Sequence, residues 1–139
     1  MNKNKGSILI FVLVFMLIIT MSVTTLSIVL NLYLKSIGLE IYQKKAYYLA
    51  QSGLNIAPNY FELIPLKNIP LTDEKTWIYA HLAEGFVINQ NLDGQIVLFK
   101  STKNFLYSVG LFNNKSSTIL KEAFSLTDGK ISLFSWERL

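Results

Sequence analysis

Between Lys5 and Lys35 the chain carries no charged residue. From residue 8 to residue 34 it is almost wholly apolar, with Thr20, Ser22, Thr24, Thr25, Ser27 and Asn31 as the polar exceptions. Hydrocarbon offers a backbone no hydrogen-bond partners, so a spanning segment must satisfy its N–H and C=O groups internally, as a helix does. A bilayer core about 30 Å thick is crossed by roughly 20 residues of helix. At about 1.5 Å per residue, residues 8–34 extend about 40 Å. The run therefore predicts a helix that crosses with tilt or with length to spare. Its many Val, Ile and Thr residues are weak helix formers in water, a preference that lipid overrides.

Orientation is only weakly written. Lys3 and Lys5 precede the run and Lys35, Lys44 and Lys45 follow it, so the positive-inside rule discriminates little. A secretory signal peptide is the main rival. Its apolar region runs about 7–15 residues and ends at small residues, and Thr20 and Ser22 in "ITMSV" offer such a site. Yet the apolar run continues through Leu34, so the product would keep a greasy start.

Past Lys35 the periodicity changes rather than ends. Leu39, Tyr42, Ala46, Leu49, Gly53 and Ile56 recur at steps of three and four, the stripe of an amphipathic helix. Glu40, Lys44, Lys45, Gln51 and Asn55 lie off it. Pro58 limits the helix, because the residue before proline disfavours the α region. The reading is one helix of roughly fifty residues, half lipid-facing and half packed on a domain. No Gly/Ser/Pro linker separates the halves, and Gly38 is a point of local flexibility between them.

Residues 58–84 carry Pro58, Pro65 and Pro70 and read as an irregular crossing. Within them "TDEKTWIYAHLAEG" predicts a short helix with Thr72 as N-cap and Gly85 as stop, a strand through 77–82 remaining open. Beyond Gly85, "GFVINQN", "QIVLFK", "FLYSVGLF", "STILKEAFSL" and "KISLFSW" are apolar runs. They are separated by the turn pairs Asp93-Gly94, Asn113-Asn114 and Asp128-Gly129. They predict an antiparallel sheet of about four or five strands with residues 36–57 covering one face, an α+β fold.

Composition removes several classes of function. The chain has no cysteine, which excludes disulfides, thiolate chemistry and Cys-based zinc sites. Lys3 and Lys5 account for two of the 13 basic residues, and the rest nearly balance the 9 acidic ones. Charge therefore establishes no nucleic-acid partner. His81 is the single histidine and has no evident partners for a metal site or a triad. Asp73-Glu74 reads as a helix N-terminal charge pair, and Asp93 and Asp128 as turn residues rather than calcium ligands. Lys44-Lys45 reads as a solvated helix face. Tyr47 and Tyr48 are interfacial aromatics, or else Tyr48 packs in the domain and Tyr47 faces solvent. Trp77 and Trp136 read as core. No phosphate loop or nucleophile motif is present, so neither a cofactor nor a catalytic or metal residue is expected, and a non-enzyme is.

Three segments fit one pattern, and the closing segment adds to it. "KNKGSILIFVL" resembles a class III prepilin leader: a short basic peptide, a glycine and an immediate hydrophobic helix. "AYYLAQSGLNIA" resembles the "AEAGL"-like segment of PilX-type minor pilins and K-type minor pseudopilins. "FLYSVGLFNNKSSTILKEAFSL" resembles the "Y-I-x-S-x-G" strand, turn and next strand of those proteins, and "DGKISLFSWERL" is similar to the C-terminus of competence minor pseudopilins. The resemblance they carry extends over most of the chain.

The resemblance implies a leader at 1–6, a transmembrane and filament-core helix at 7–34, its amphipathic continuation at 35–57 and a globular pilin-like domain at 58–139. It implies a prepilin peptidase cutting between Gly6 and Ser7, with Ser7 the new and N-methylated terminus. It implies a single-pass protein of the cell membrane with a cytoplasmic N-terminus and an extracytoplasmic C-terminal domain. From the inner membrane it would pass to an extracellular filament, with other minor and major pilins or pseudopilins as partners through the N-terminal helix. Major pilins carry glutamate at mature position five, where this chain has Phe11. A subunit without that charge is a poor repeating unit, so the resemblance implies a minor subunit at the tip or at initiation. It leaves open whether the machine is a type IV pilus, a type II secretion pseudopilus or a competence filament. From other classes, a membrane-tethered sensory or ligand-binding ectodomain would keep residues 1–6, and a secreted binding protein would be cut near Ser22.

Overall fold

The computed structural model describes residues 4–90, 94–127 and 130–139. Helix α1, Asn4–Ile56, runs 53 residues without a break, through Gly38. It gives way at Ala57–Tyr60 to a turn of 3-10 helix with Pro58 near its start. The chain divides into two compact units, one ending at Gly38 and one beginning at Leu39.

In the first unit the large apolar side chains between Ile8 and Leu34 are all exposed, from 44% at Val12 to 72% at Phe11. In water such a surface is disfavoured by about 25 cal/mol for each Å² left uncovered. The hydroxyls turn back onto the helix itself. Thr20 donates to the Leu17 carbonyl at 2.9 Å, Ser22 to Ile18 at 2.8 Å, Thr24 to Thr20 at 2.7 Å and Thr25 to Met21 at 2.8 Å. This back-bonding removes the polar groups an apolar medium would penalise.

The second unit holds the end of α1, a short helix α2 (Glu74–Ala80) and a mixed six-stranded sheet, which makes the fold α+β. The strands are β1 (Leu66–Lys67), β2 (Phe86–Gln90), β3 (Gly94–Ser101), β4 (Phe105–Phe112), β5 (Ser116–Thr127) and β6 (Lys130–Arg138). Their order is β1-β3-β4-β5-β6, with β2 also on β3. The four long strands pair antiparallel. The expected turn Asn113-Asn114 has both residues at positive φ, 52° and 51°, a region asparagine tolerates better than most residues. Asp93 and the pair Asp128-Gly129 lie outside the described residues.

Several expectations differ from the structure. The sheet is not wholly antiparallel: β1 pairs parallel with β3, Leu66 opposite Lys100. Its two residues between Pro65 and Pro70 are too short to carry a periodic signal. The cap of α2 is Asp73 rather than Thr72, with no side-chain cap bond. The buried line of α1 is Ala46, Ala50, Gly53, Leu54 and Ala57, while Leu39 is 51% exposed. Small residues take the line of closest approach, and Leu49 and Ile56 flank it half-buried.

Both faces of the sheet are covered. Ile96, Leu98, Leu106, Leu120 and Phe124 meet Ala50, Leu54 and Ala57 of α1. On the other face Val97, Phe99, Tyr107, Val109 and Ile119 meet Ile69 and Ile78. Full burial of each such large side chain contributes about 1.5–3 kcal/mol. The proline-rich crossing is thus a second layer of the core. Trp77 is half-buried against Phe99, at 6.2 Å between rings. Trp136, expected in the core, is 44% exposed, because β6 is the edge strand.

Candidate functional site

Gly6, Ser7 and Phe11 occupy the first turns of α1. Gly6 and Ser7 are exposed, and a Cβ built on Gly6 would meet nothing within 4 Å. No packing inside the subunit requires a glycine there. Gly110 is the opposite case: its Cβ would collide with the Ala46 carbonyl oxygen and the Ala50 amide of α1. Phe11 is 72% exposed and stacks on Phe15 one turn later, at 6.4 Å and 10° between planes. The first turn of α1 contains no acidic residue. Met1–Lys3 of the expected leader lie outside the described residues.

The expected solvated and structural residues sort as follows. Lys44 pairs with Glu40 one turn earlier at 2.8 Å on an exposed face, and Lys45 lies 4.6 Å over the Phe112 ring. His81 donates its Nδ1–H to the Trp77 carbonyl at 2.8 Å, and its ring stacks on Trp77 at 4.1 Å. Tyr47 and Tyr48 reverse the second of the two alternatives: Tyr47 is half-buried against Trp136, at 5.8 Å, and Tyr48 is 62% exposed. Among the described residues no group of three or more His, Asp or Glu side chains is placed to hold a metal. A cleft of about 690 Å³ beside Pro58–Leu63 contains Lys100. Its ammonium is engaged within the fold, donating to the Phe61 carbonyl at 3.0 Å and lying 4.3 Å over the Phe61 ring.

Glu74 is more than a helix-end charge. It is 8% exposed, and its carboxylate accepts from the Tyr107 hydroxyl at 2.9 Å and from Lys121 at 2.9 and 3.2 Å. Lys121 also reaches Glu137 at 3.3 Å. Burial alone would lower the Lys121 pKa, but the two carboxylates outweigh it and raise it above the ordinary value. Burial, with Glu74 beside it, pushes the Tyr107 hydroxyl well above its ordinary pKa, so it remains a donor. The network ties α2 to β4 and β5 across 33 and 47 residues of chain. No local pattern signals a pairing that distant. Tyr107→Phe removes one donor and leaves Lys121 in place. Its urea midpoint is expected to fall by the equivalent of about 1–2 kcal/mol.

Glu122 is the second buried carboxyl, 7% exposed. Desolvation raises its pKa above 4.5. A signal for it did exist: in "STILKEAFSL", Leu120, Glu122 and Phe124 alternate onto one face. A raised folded-state pKa adds stability below the unfolded pKa, and that contribution is lost as pH rises through the folded value. Glu122→Gln is therefore expected to stabilise the domain by about 1 kcal/mol at pH 7. The gain should vanish below about pH 4.5, as checked by denaturation at the two pH values.

Set against known families, curated proteins and solved structures, the chain matches no family model, no curated protein and no solved structure.

Proposed function

We propose that this protein is a minor structural subunit, tip-associated or assembly-initiating, of a type IV pilus, type II secretion pseudopilus or competence filament. The observation that carries the reading is α1 itself: one unbroken helix whose first part exposes a predominantly apolar surface and whose last turns pack on a sheet. Such a helix is long and apolar enough to cross a membrane. The same surface suits lateral packing among other apolar helices, where close van der Waals contact replaces lipid. A tethered ectodomain would also use the span, but it has no use for Gly6, a glycine that internal packing does not demand.

In this reading the prepilin peptidase approaches the backbone at Gly6, where the missing Cβ leaves room, and cuts before Ser7. Cleavage removes Lys3 and Lys5 and leaves an apolar helix that can leave the bilayer sideways into a filament. Ser7 is the new, N-methylated terminus. Phe11 and Phe15 then present an aromatic pair where major pilins carry an acid. An unpaired charge in a low-dielectric core is strongly disfavoured, and a neighbour's terminus finds no carboxylate at this position. The subunit thus fits an end of the filament better than its repeat. The reading makes it a structural protein rather than an enzyme, with no cofactor.

The test is the N-terminal sequence and intact mass of the protein from membranes, with and without a prepilin peptidase. A peptidase-dependent start at Ser7 is expected. An intact Met1 start with the peptidase present would establish the tethered ectodomain instead, and a start near Val23 a secretory signal. Purified filaments are expected to contain the protein at a small fraction of the major subunit. Equal abundance would overturn the minor placement.

A further inference from the structure

Glutamate is almost never fully buried unless paired, and this chain contains both cases. Glu74 is held by Tyr107 and Lys121. Glu122 is buried to the same degree, and burial raises its carboxyl above the ordinary carboxylate range, with no ion pair to it among the described residues. Its surroundings are specific. Glu122 lies opposite Trp136 of β6 and Leu106 of β4. The Trp136 ring meets Tyr47 of α1 edge-on at 5.8 Å, and Tyr47 meets Tyr48 at 5.8 Å. Trp136 and Tyr48 remain 44% and 62% exposed. A register shift between Glu122 and Phe124 interrupts the pairing beside it.

A carboxylate beside aromatic rings, one half-buried and one exposed, is the chemistry that receives a cation, since the ring faces and the carboxylate attract the same charge. The charged groups around it do not fill that role. Lys121, the next residue on β5, serves Glu74 and Glu137. Lys44 on α1 serves Glu40. Arg138 shares Trp136's face two residues along β6, is exposed, and forms no ion pair with Glu122 among the described residues. We propose that Glu122, Trp136 and Tyr47 form a docking site for a basic side chain, arginine or lysine, presented by a neighbouring subunit at the β6 edge. The site rests on the assembly reading above and names one contact of that assembly. In the free subunit Glu122 is a destabilising residue, and it becomes a paired one on docking.

The test uses the full chain in lipid nanodiscs with Trp77→Phe, which leaves Trp136 as the single tryptophan of the two. Arginine amide is titrated at constant ionic strength, with citrulline amide as its neutral counterpart. A saturable change in Trp136 emission with arginine amide only is expected, weakened at least tenfold in Glu122→Gln. An equal response to citrulline amide, no saturable response, or an undiminished response in Glu122→Gln overturns the site. A response that appears only in Arg138→Gln would mean the site is filled from within the chain, and the partner falls. Glu122→Gln is expected to be the more stable protein at neutral pH, so loss of response through unfolding is visible as a lowered thermal midpoint. The assay needs no peptidase and no other subunit. Its failure leaves the Ser7 start standing, and failure of the Ser7 start leaves a binding result standing.

Discussion

Gly110→Ala is expected to cost the domain at least about 3 kcal/mol, the upper range of overpacking. Domains of this size are stable by about 5–15 kcal/mol, so a large part of the folded population is lost on mild heating. The reason is which atoms stand in the way. Gly110 pairs with Ile96 of β3 and Thr118 of β5, so β4 is held on both edges. Above it are the carbonyl oxygen of Ala46 and the amide of Ala50, with Leu49 Cβ at 3.0 Å from where the new carbon would sit. A side-chain end can rotate away, but helix backbone cannot, so α1 must lift from the sheet and open the core around Ala50 and Leu54. Gly38→Ala is the matched control. It sits in the same helix with nothing within 4 Å of its Cβ, and alanine there should add about 0.5–1 kcal/mol of helix stability. Urea denaturation of both variants checks the contrast. Equal midpoints would mean that α1 does not approach β4 as closely as described.

Gly6→Val is expected to abolish the Ser7 start while leaving the fold unchanged. A Cβ at Gly6 has open space within the subunit, so circular dichroism and the domain's unfolding midpoint should match the parent. A β-branched side chain would instead obstruct an enzyme that must close on the backbone at the scissile bond. With the peptidase present, intact mass is expected to show the parent shortened to Ser7 and the variant retaining residues 1–6. The tethered-ectodomain reading expects both proteins to keep Met1. Processing of Gly6→Val at the parent's rate would remove the assigned role from Gly6 and leave its presence without a physical account.

What could be read along the chain and what could not separate by distance. The helix through Ile56, the long strands and the Asn113-Asn114 turn follow from local physics. A 29-residue charge-free run, a period of three to four and asparagines at a turn each act over a few neighbours. The Leu120, Glu122, Phe124 alternation was equally local and marked a buried acid. Such local signals were enough for the α+β class, the apolar span and the absence of cysteine chemistry. Folding in three dimensions was needed to pair β1 parallel with β3, because two residues between prolines carry no period. It alone decided that Glu74 is held by Tyr107 and Lys121, which lie on strands that reach it only in the folded domain. It put Trp136 on an exposed edge rather than in the core, since position in a sheet depends on strand order and not on residue type. And it separated Gly6 from Gly110, identical in the sequence: one faces open space, the other the backbone of a helix sixty residues earlier in the chain.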